Sequence, residues 1–303
     1  MKKIGIIGTG VMGLTVALKA IANGYKVIAF DNSLKTSEKC RHLGLEMVRN
    51  PAEVGCKATI VLLFLPGPQQ VVECVTSEEG LLASLTSRAV IADMSTIDPD
   101  TTTRIAAMAR EKGVGYLDAP VLGRPATVGK WAIPVGGRAE DLTVCRPVFD
   151  LVAANVYHMG PSGTGHKVKL LNQLMFGAIN AMTAEMMAIS EKVGIAPGLL
   201  YETITASQAG TVSNLFKELG ARIAADDYGN PTFSIDLLIK DVHLAVEMAK
   251  GHAAPPILAR SVEFLNETAR AQGLGSLDTA VMWKCYRKFW ETSVPEIEHK
   301  DQK

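Results

Sequence analysis

The sequence has no surplus of charge of either sign. Lys and Arg total 31 and so do Asp and Glu. No whole-chain field is therefore available to draw the protein onto nucleic acid or an anionic membrane. A local basic site for a small anion is still compatible with that balance. Clustered cysteine is also missing. Cys40, Cys56, Cys74, Cys145 and Cys285 are scattered and form no C-x-x-C pair. This argues against a disulfide framework and against a zinc site, and fits a reducing compartment. Long apolar runs are absent too. Behind Met1-Lys2-Lys3 the apolar stretch covers only Ile4 to Ile7 before Gly8-Thr9-Gly10, and no small-residue cleavage site follows. No later run is long enough to cross a bilayer. The expectation is a cytoplasmic protein with neither nucleic acid nor membrane as partner. There is no internal repeat and no low-complexity tract.

What is present is ample material for cores. Hydrophobic residues make up 48% and charged residues 20% of 303 residues. That length is too great for one small core and points to two domains. The first half alternates between two periods. Lys3–Ile7 reads as a strand, Val11–Ala22 as a helix and Lys26–Phe30 as a strand. Further apolar strands are expected at Ala58–Leu65 and Ala89–Ala92, and around Tyr116–Pro120, Trp131–Val135 and Val156–Met159. Helical segments lie between most of them, so a mostly parallel sheet covered on both faces is expected.

After Gly160–Gly165 the pattern becomes helical. Val168, Leu171, Met175, Ile179, Met182, Met186, Ile189 and Val193 recur in steps of three and four. This stripe predicts a long core helix that faces other helices and stops at Gly194 and Pro197. Met175, Met182, Met186 and Met187 are read as core filler. More helices are expected at Leu199–Gln208, Ser213–Ala224, Leu237–Lys250, Ile257–Ala271 and Asp278–Trp290, with a polar, frayed tail over Pro295–Lys303. The boundary falls near Gly163–His166, giving domains 1–164 and 165–303.

Gly8-Thr9-Gly10-Val11-Met12-Gly13 fits G-x-G-x-x-G. Alone the pattern is weak, because glycines punctuate many turns. Here it follows a strand and opens a helix, the setting in which backbone N–H groups and a helix N-terminus receive a pyrophosphate. Gly8 permits the turn, Gly10 lets the phosphate approach, and Gly13 lets helix and strand pack. Asp31 ends the second strand, eighteen residues after Gly13. A carboxylate there accepts hydrogen bonds from ribose hydroxyls and repels a 2′-phosphate, which favours NAD over NADP. Lys35 lies close enough to weaken that preference, and an Asp before Asn32-Ser33 also suits a plain turn. The fold class expected is an α/β Rossmann-type doubly wound sheet followed by an all-α domain.

Lys169 borders the apolar stripe, with Asn172 and Gln173 three and four residues on. Polar groups beside a buried stripe are costly unless partnered, and at a domain junction they can instead face a substrate. Hydride loss from a carbinol carbon requires the hydroxyl to shed a proton, which a neutral lysine can accept and return. A lysine's ordinary pKa of about 10.4 is high for that task, although desolvation and adjacent positive charge lower such values. The alternative is a solvated helix edge shared with Lys167. Spacing alone leaves both readings open.

At this point the sequence resembles the 3-hydroxyisobutyrate and related β-hydroxyacid dehydrogenases over about Lys3 to Trp290. Four motifs carry the likeness in order: Gly8–Gly13; Asp118-Ala119-Pro120-Val121 with Gly136-Gly137; Gly163-Thr164-Gly165-His166-Lys167-Val168-Lys169-Leu170-Leu171-Asn172-Gln173; and Lys240-Asp241-Val242-His243-Leu244-Ala245. The resemblance implies NAD as cofactor, with Gly8, Gly10, Val11, Met12, Gly13 and Asp31 binding it. It implies Lys169 as the essential lysine and Thr96 as a contact beside the nicotinamide ribose. Leu65 and Pro66 would line the cofactor cleft, and Lys240 would reach the cofactor from the helical domain. Without the family, Lys240-Asp241 reads as a surface ion pair and Leu65-Pro66 as a strand end. The family also implies a homodimer or homotetramer.

Two departures concern the substrate. Gln173 stands where the family usually has Asn, as in tartronate semialdehyde reductases, which Phe233–Leu237 and Gly273-Leu274-Gly275 also resemble. The second motif continues as Leu122-Gly123-Arg124-Pro125 instead of Ser-Gly-Gly, and the following loop is shortened. The usual seryl hydroxyl is absent, and Arg124 offers a forked cation for a carboxylate or sulfonate. A Gly-Arg pair here is reminiscent of sulfolactaldehyde reductases; the alternative is that Arg124 points to solvent. Leu122, Gly123, Arg124, Asn172 and Gln173 are thus the expected substrate contacts, and the substrate a small acidic 2- or 3-hydroxy acid or hydroxysulfonate. Competing readings are an imine reductase of the same fold, against which Lys169 argues, and a non-catalytic nucleotide-binding scaffold. A 6-phosphogluconate dehydrogenase would need a longer helical half and further phosphate-binding cations. His166 is read as a substrate contact or a helix cap, and His243 as packed or solvated. Neither has a metal-ligand pattern, and Glu78-Glu79 is read as a solvated turn.

Overall fold

The computed structural model describes residues 2–206, 213–254 and 256–292. In chain order the elements are β1 (Lys3–Ile7), α1 (Val11–Ala22), β2 (Lys26–Phe30), α2 (Leu34–His42), β3 (Glu46–Met47), α3 (Pro51–Gly55), β4 (Ile60–Leu63), α4 (Pro68–Thr76), β5 (Val90–Asp93), α5 (Pro99–Glu111), β6 (Gly115–Asp118), β7 (Trp131–Gly136), α6 (Ala139–Phe149) and β8 (Ala153–Gly160). Six helices follow: α7 (Thr164–Lys192), α8 (Pro197–Ala206), α9 (Asn214–Ala225), α10 (Ile235–Gly251), α11 (Ile257–Ala271) and α12 (Met282–Thr292). Two compact units result, residues 1–172 and 173–303.

The first unit is built on an eight-stranded sheet in the order β3-β2-β1-β4-β5-β6-β7-β8. All neighbours are parallel except β6 and β7, which are antiparallel. Side chains divide by strand parity between two cores. Ile6, Ala29, Leu62 and Ala92 join one, and Ile7, Ile28, Val61, Leu63 and Ile91 join the other. A sheet buried on both faces explains why its strands read as continuous apolar runs. The strand order reverses between β1 and β4, and in such sheets ligands bind beyond the carboxyl ends at that reversal. Gly8–Gly13 follows β1 there, and Leu65-Pro66 follows β4.

Strand lengths differ modestly from expectation. The apolar run Ala58–Leu65 pairs as a strand only over Ile60–Leu63, because only that part is in register with β5. Two-residue β3, on the sheet's edge, carries no periodic signal in the sequence. Ser207 and Gln208, expected as the end of a helix, and the expected tail Pro295–Lys303 lie outside the described residues.

The second unit is helical, with cores around Met187, Phe216, Ile235 and Trp283 and around Ala181, Leu238, Val242 and Val262. Here the expected stripe on α7 is corrected. Leu171, Met175, Met182, Ile189 and Val193 are exposed, as much as 65% for Val193. The buried face is instead His166, Leu170, Gln173, Asn180, Ala181, Ala184, Met187 and Ala188. Its small side chains Ala181, Ala184 and Ala188 join the helical cores, and of its polar ones His166 and Gln173 are hydrogen-bonded inside. Of the four methionines read as filler, Met187 is buried, Met186 packs against the core, and Met175 and Met182 face outward.

Candidate functional site

The loop after β1 is shaped by its glycines. Gly8 has φ +84° and donates its N–H to Phe30 O at 3.0 Å. A Cβ on Gly8 would collide with the Phe64 carbonyl beyond β4, and one on Gly13 with the Gly8 carbonyl. The turn and helix are therefore in contact with backbone that leaves no room for a side chain. Around Gly10 the reverse holds, since a Cβ there would meet nothing within 4 Å. Gly10 caps α1 without a side chain, so the first-turn N–H groups of Val11, Met12 and Gly13 open onto that space. This is the shape and polarity that a pyrophosphate requires. Val11 is 57% exposed beside it, while Met12 packs against the core.

Asp31 sits at the end of β2. Its Oδ2 accepts from Thr9 N at 2.7 Å and Thr9 Oγ1 at 3.0 Å, and its Oδ1 accepts from Ser33 N at 2.9 Å. The carboxylate thus braces the glycine loop as well as the turn after β2. Its remaining lone pairs are the ones a ribose hydroxyl would use.

Beyond β4 and β5 a buried polar chain holds the loops. Tyr116 donates its hydroxyl to Asp93 Oδ2 at 2.8 Å, Ser95 N donates to Asp93 Oδ1 at 2.9 Å, and Leu65 N donates to Ser95 Oγ at 2.9 Å. Burial, then the Asp93 charge, pushes the Tyr116 phenol well above its ordinary value, so it remains the donor. Thr96 follows Ser95 and is half-buried; Pro66 is exposed.

The start of α7 is anchored to the end of β6. Asp118 accepts from Gly163 N at 2.8 Å and from His166 N at 3.0 Å. Burial pushes the Asp118 carboxyl up, against the lowering pull of His166 and of the N–H groups it accepts. One turn further on, half-buried Lys169 donates from Nζ to the Val121 carbonyl at 3.0 Å. That carbonyl begins the loop Leu122-Gly123-Arg124. The loop is closed by Leu122 N to Ala132 O at 2.9 Å and Ala132 N to Leu122 O at 3.2 Å. Fully buried Trp131 donates Nε1–H to Arg124 O at 2.8 Å, and its ring stands where any Cβ on Gly123 would be. Arg124 is half-buried, and Asn172 lies exposed on α7.

Gln173 and Lys240 meet on a different group. Gln173 Nε2 donates to Asp241 Oδ2 at 2.5 Å, and Lys240 Nζ lies 2.6 Å from Asp241 Oδ1. Gln173 and Asp241 are both buried. The Lys240-Asp241 pair is thus half inside the second unit's core. His243 pairs with Glu263 at 2.8 Å on the surface. Sequence reasoning assigned no role to Ser95, Asp93, Tyr116 and Trp131, and read Asp241 only as the surface partner of Lys240. The available signal was the presence of polar residues inside otherwise apolar strand ends. Among the described residues no group of His, Cys, Asp and Glu is placed to hold a metal, and no helix is long and apolar enough to cross a membrane.

A glycine cradle at the reversal of a parallel sheet, an acidic end to β2 and a helical second unit define a dinucleotide-dependent oxidoreductase. Comparison with known proteins narrows this. Residues 3–160 match the NAD-binding domain of 6-phosphogluconate dehydrogenase, and residues 163–286 match the NAD-binding domain of NADP-dependent 3-hydroxyisobutyrate dehydrogenase. The 3-hydroxyisobutyrate dehydrogenase of Pseudomonas aeruginosa is 32% identical over 297 residues, covering 95% of this chain and 99% of that one. The 3-sulfolactaldehyde reductase of Escherichia coli is 30% identical over 285 residues, covering 92% and 93%. The crystal structure of a 3-hydroxyisobutyrate dehydrogenase from Salmonella typhimurium superposes with TM-score 0.87 at 25% identity, covering 94% and 99%. The chain belongs to the 3-hydroxyisobutyrate dehydrogenase family and is an NAD-dependent hydroxyacid dehydrogenase.

Proposed function

We propose that the protein interconverts a small acidic 2- or 3-hydroxy acid, or a hydroxysulfonate, with its aldehyde or ketone, and that Lys169 moves the proton. The observation that carries this reading is the Lys169 Nζ–Val121 O hydrogen bond, which sets the amine at the root of the Leu122–Arg124 loop. Bound NAD would supply the acceptor for hydride from the carbinol carbon, and bound NADH the hydride donor to the carbonyl carbon. In oxidation neutral Lys169 accepts the hydroxyl proton, and in reduction its ammonium gives that proton to the carbonyl oxygen. The Val121 carbonyl accepts a hydrogen bond from either form and so fixes where the nitrogen stands. The first-turn N–H groups at Val11–Gly13 are assigned to the pyrophosphate and Asp31 to the adenosine ribose. Leu65, Pro66 and Thr96 are assigned to the remaining cofactor wall.

Arg124 is assigned to the substrate anion. Its backbone is pinned by Trp131, so its guanidinium leaves a fixed root and can meet a carboxylate or sulfonate with two parallel bonds. A relative of similar length is named for a sulfonated aldehyde, which keeps that substrate class in view. The exposed apolar stripe on α7 supports a homodimer or homotetramer, because so long a run of exposed Leu, Met, Ile and Val is unusual for a monomer.

The test is NADH oxidation with tartronate semialdehyde, methylmalonate semialdehyde, succinate semialdehyde and sulfolactaldehyde. Turnover of one is expected, with K169A losing at least about a thousandfold in kcat at nearly unchanged NADH affinity. R124A is expected to raise KM for the acidic substrate more than for a neutral analogue. Wild-type turnover by K169A removes Lys169 from the mechanism.

A further inference from the structure

We propose that His166 is a positioning residue that ties the cofactor-side loops to the helix bearing Lys169. For its catalytic half the inference rests on the Lys169 reading above; for its cofactor half it does not.

His166 is fully buried. Its Nδ1 lies 2.7 Å from Thr102 Oγ1 on α5, and its Nε2 lies 3.1 Å from the Ser95 carbonyl beyond β5. Its backbone N–H is the one that Asp118 accepts at the end of β6. One residue thus joins α5, the β5 loop, the β6 end and the first turn of α7. The ring chemistry fixes the arrangement further. A carbonyl only accepts, so Nε2 carries a proton. The Thr102 hydroxyl has one proton and two acceptors in reach, Nδ1 at 2.7 Å and the Asp98 carbonyl at 3.0 Å. In the neutral ring Nδ1 accepts that proton, and in the charged ring Nδ1 donates to Thr102 Oγ1 while the hydroxyl donates to Asp98 O. Both ring nitrogens are satisfied, as a buried imidazole requires.

The Ser95 arm is the informative one. Ser95 O belongs to the peptide that leads into Thr96, and Ser95 Oγ accepts from Leu65 N. His166 therefore holds Ser95, to which two of the residues assigned to the cofactor wall are tied, Thr96 through the held peptide and Leu65 through the Ser95 hydroxyl. In the other direction, Lys169 is three residues along the same helix, less than one turn away. A shift of the His166 backbone carries the amine with it, and misplacement by about 1 Å can cost a hundredfold in rate. The imidazole suits this work because its two nitrogens point to opposite sides. A linear amide side chain reaches only one of the two partners.

That difference supplies the experiment. In H166Q the amide nitrogen reaches the Nε2 position and keeps the Ser95 bond. In H166N it reaches the Nδ1 position and keeps only the Thr102 bond. NADH affinity is read by fluorescence titration, kcat by NADH oxidation and folding by Tm. H166Q is expected to stay within about threefold of wild type in Kd and kcat. H166N is expected to lose about tenfold or more in both, at a Tm close to that of H166Q. A third variant, T102V, removes the other arm without touching the ring and is expected to lower Tm while leaving NADH Kd unchanged. Equal losses in H166Q and H166N, wild-type values in H166N, or a tenfold weaker NADH Kd in T102V would each overturn the proposal. K169A separates the two readings. Should K169A keep its turnover, proton transfer by Lys169 is refuted, while NADH affinity in H166N still decides whether His166 sets the cofactor loops.

Discussion

At the scale of single residues, several side chains have structural work that their sequence context did not announce. Asp31 is proposed as a ribose acceptor, a role legible from its distance to Gly13. Its hold on Thr9 was not legible, because the loop must first fold back onto the end of β2. Glu46 is a clearer case still. It receives Lys26 at 2.7 Å and Lys57 at 2.6 Å, residues twenty and eleven positions away. The Lys26 bond first, then the Lys57 bond, holds its carboxyl well below the ordinary 4.5, at about 2. A depressed pKa in the folded chain means that the stabilisation is present above the unfolded value and is lost as pH falls toward the folded one. E46Q is therefore expected to be less stable than wild type at pH 7, by no more than about 1 kcal/mol for a pair of partly exposed bridges. The difference should shrink between pH 4.5 and about 2. Chemical denaturation at pH 7 and pH 3 checks this, and a gap that widens on acidification contradicts it.

At the scale of elements, the glycine loop and α1 were readable as a unit, since the motif fixes both backbone freedom and helix polarity. What the motif did not reveal is how tightly Gly13 presses on Gly8. A methyl group at Gly13 would collide with the Gly8 carbonyl, so G13A must displace the loop or the helix. Its NADH Kd is expected to rise at least tenfold while far-UV dichroism stays unchanged. Wild-type affinity in G13A would mean that the loop yields without harm to the cradle. For α7 the period was correct and the face was not. Two apolar faces share one helix: a bulky one at Leu171, Met175, Met182 and Ile189, and a small one at Ala181, Ala184 and Ala188. Periodicity locates stripes, but it cannot tell which stripe a neighbouring helix will cover. The helical cores took in the small one. Gln173 and Asn180 lie on that inner side, and Gln173 is accommodated because Asp241 awaits it there.

At the scale of the whole molecule, the outward stripe on α7 bears on assembly. A homo-oligomer is expected in solution, with M182K/I189K shifting its mass by light scattering toward the monomer while Tm falls only modestly. Unchanged mass in that variant would place the subunit contact elsewhere. The sequence by itself determined the class of fold, the cofactor and the order of the four motifs. It could do so because strand–helix alternation, glycine spacing and a carboxylate at the end of β2 are local properties that chain chemistry alone imposes. Only the tertiary structure decided which polar groups are brought together. Ser95, His166 and Asp118 are far apart along the chain, and each is unremarkable alone. They become one buried network when the ends of β5 and β6 meet the start of α7. A buried polar group must find a partner wherever the fold provides one, and the sequence does not specify in advance which residue will be there.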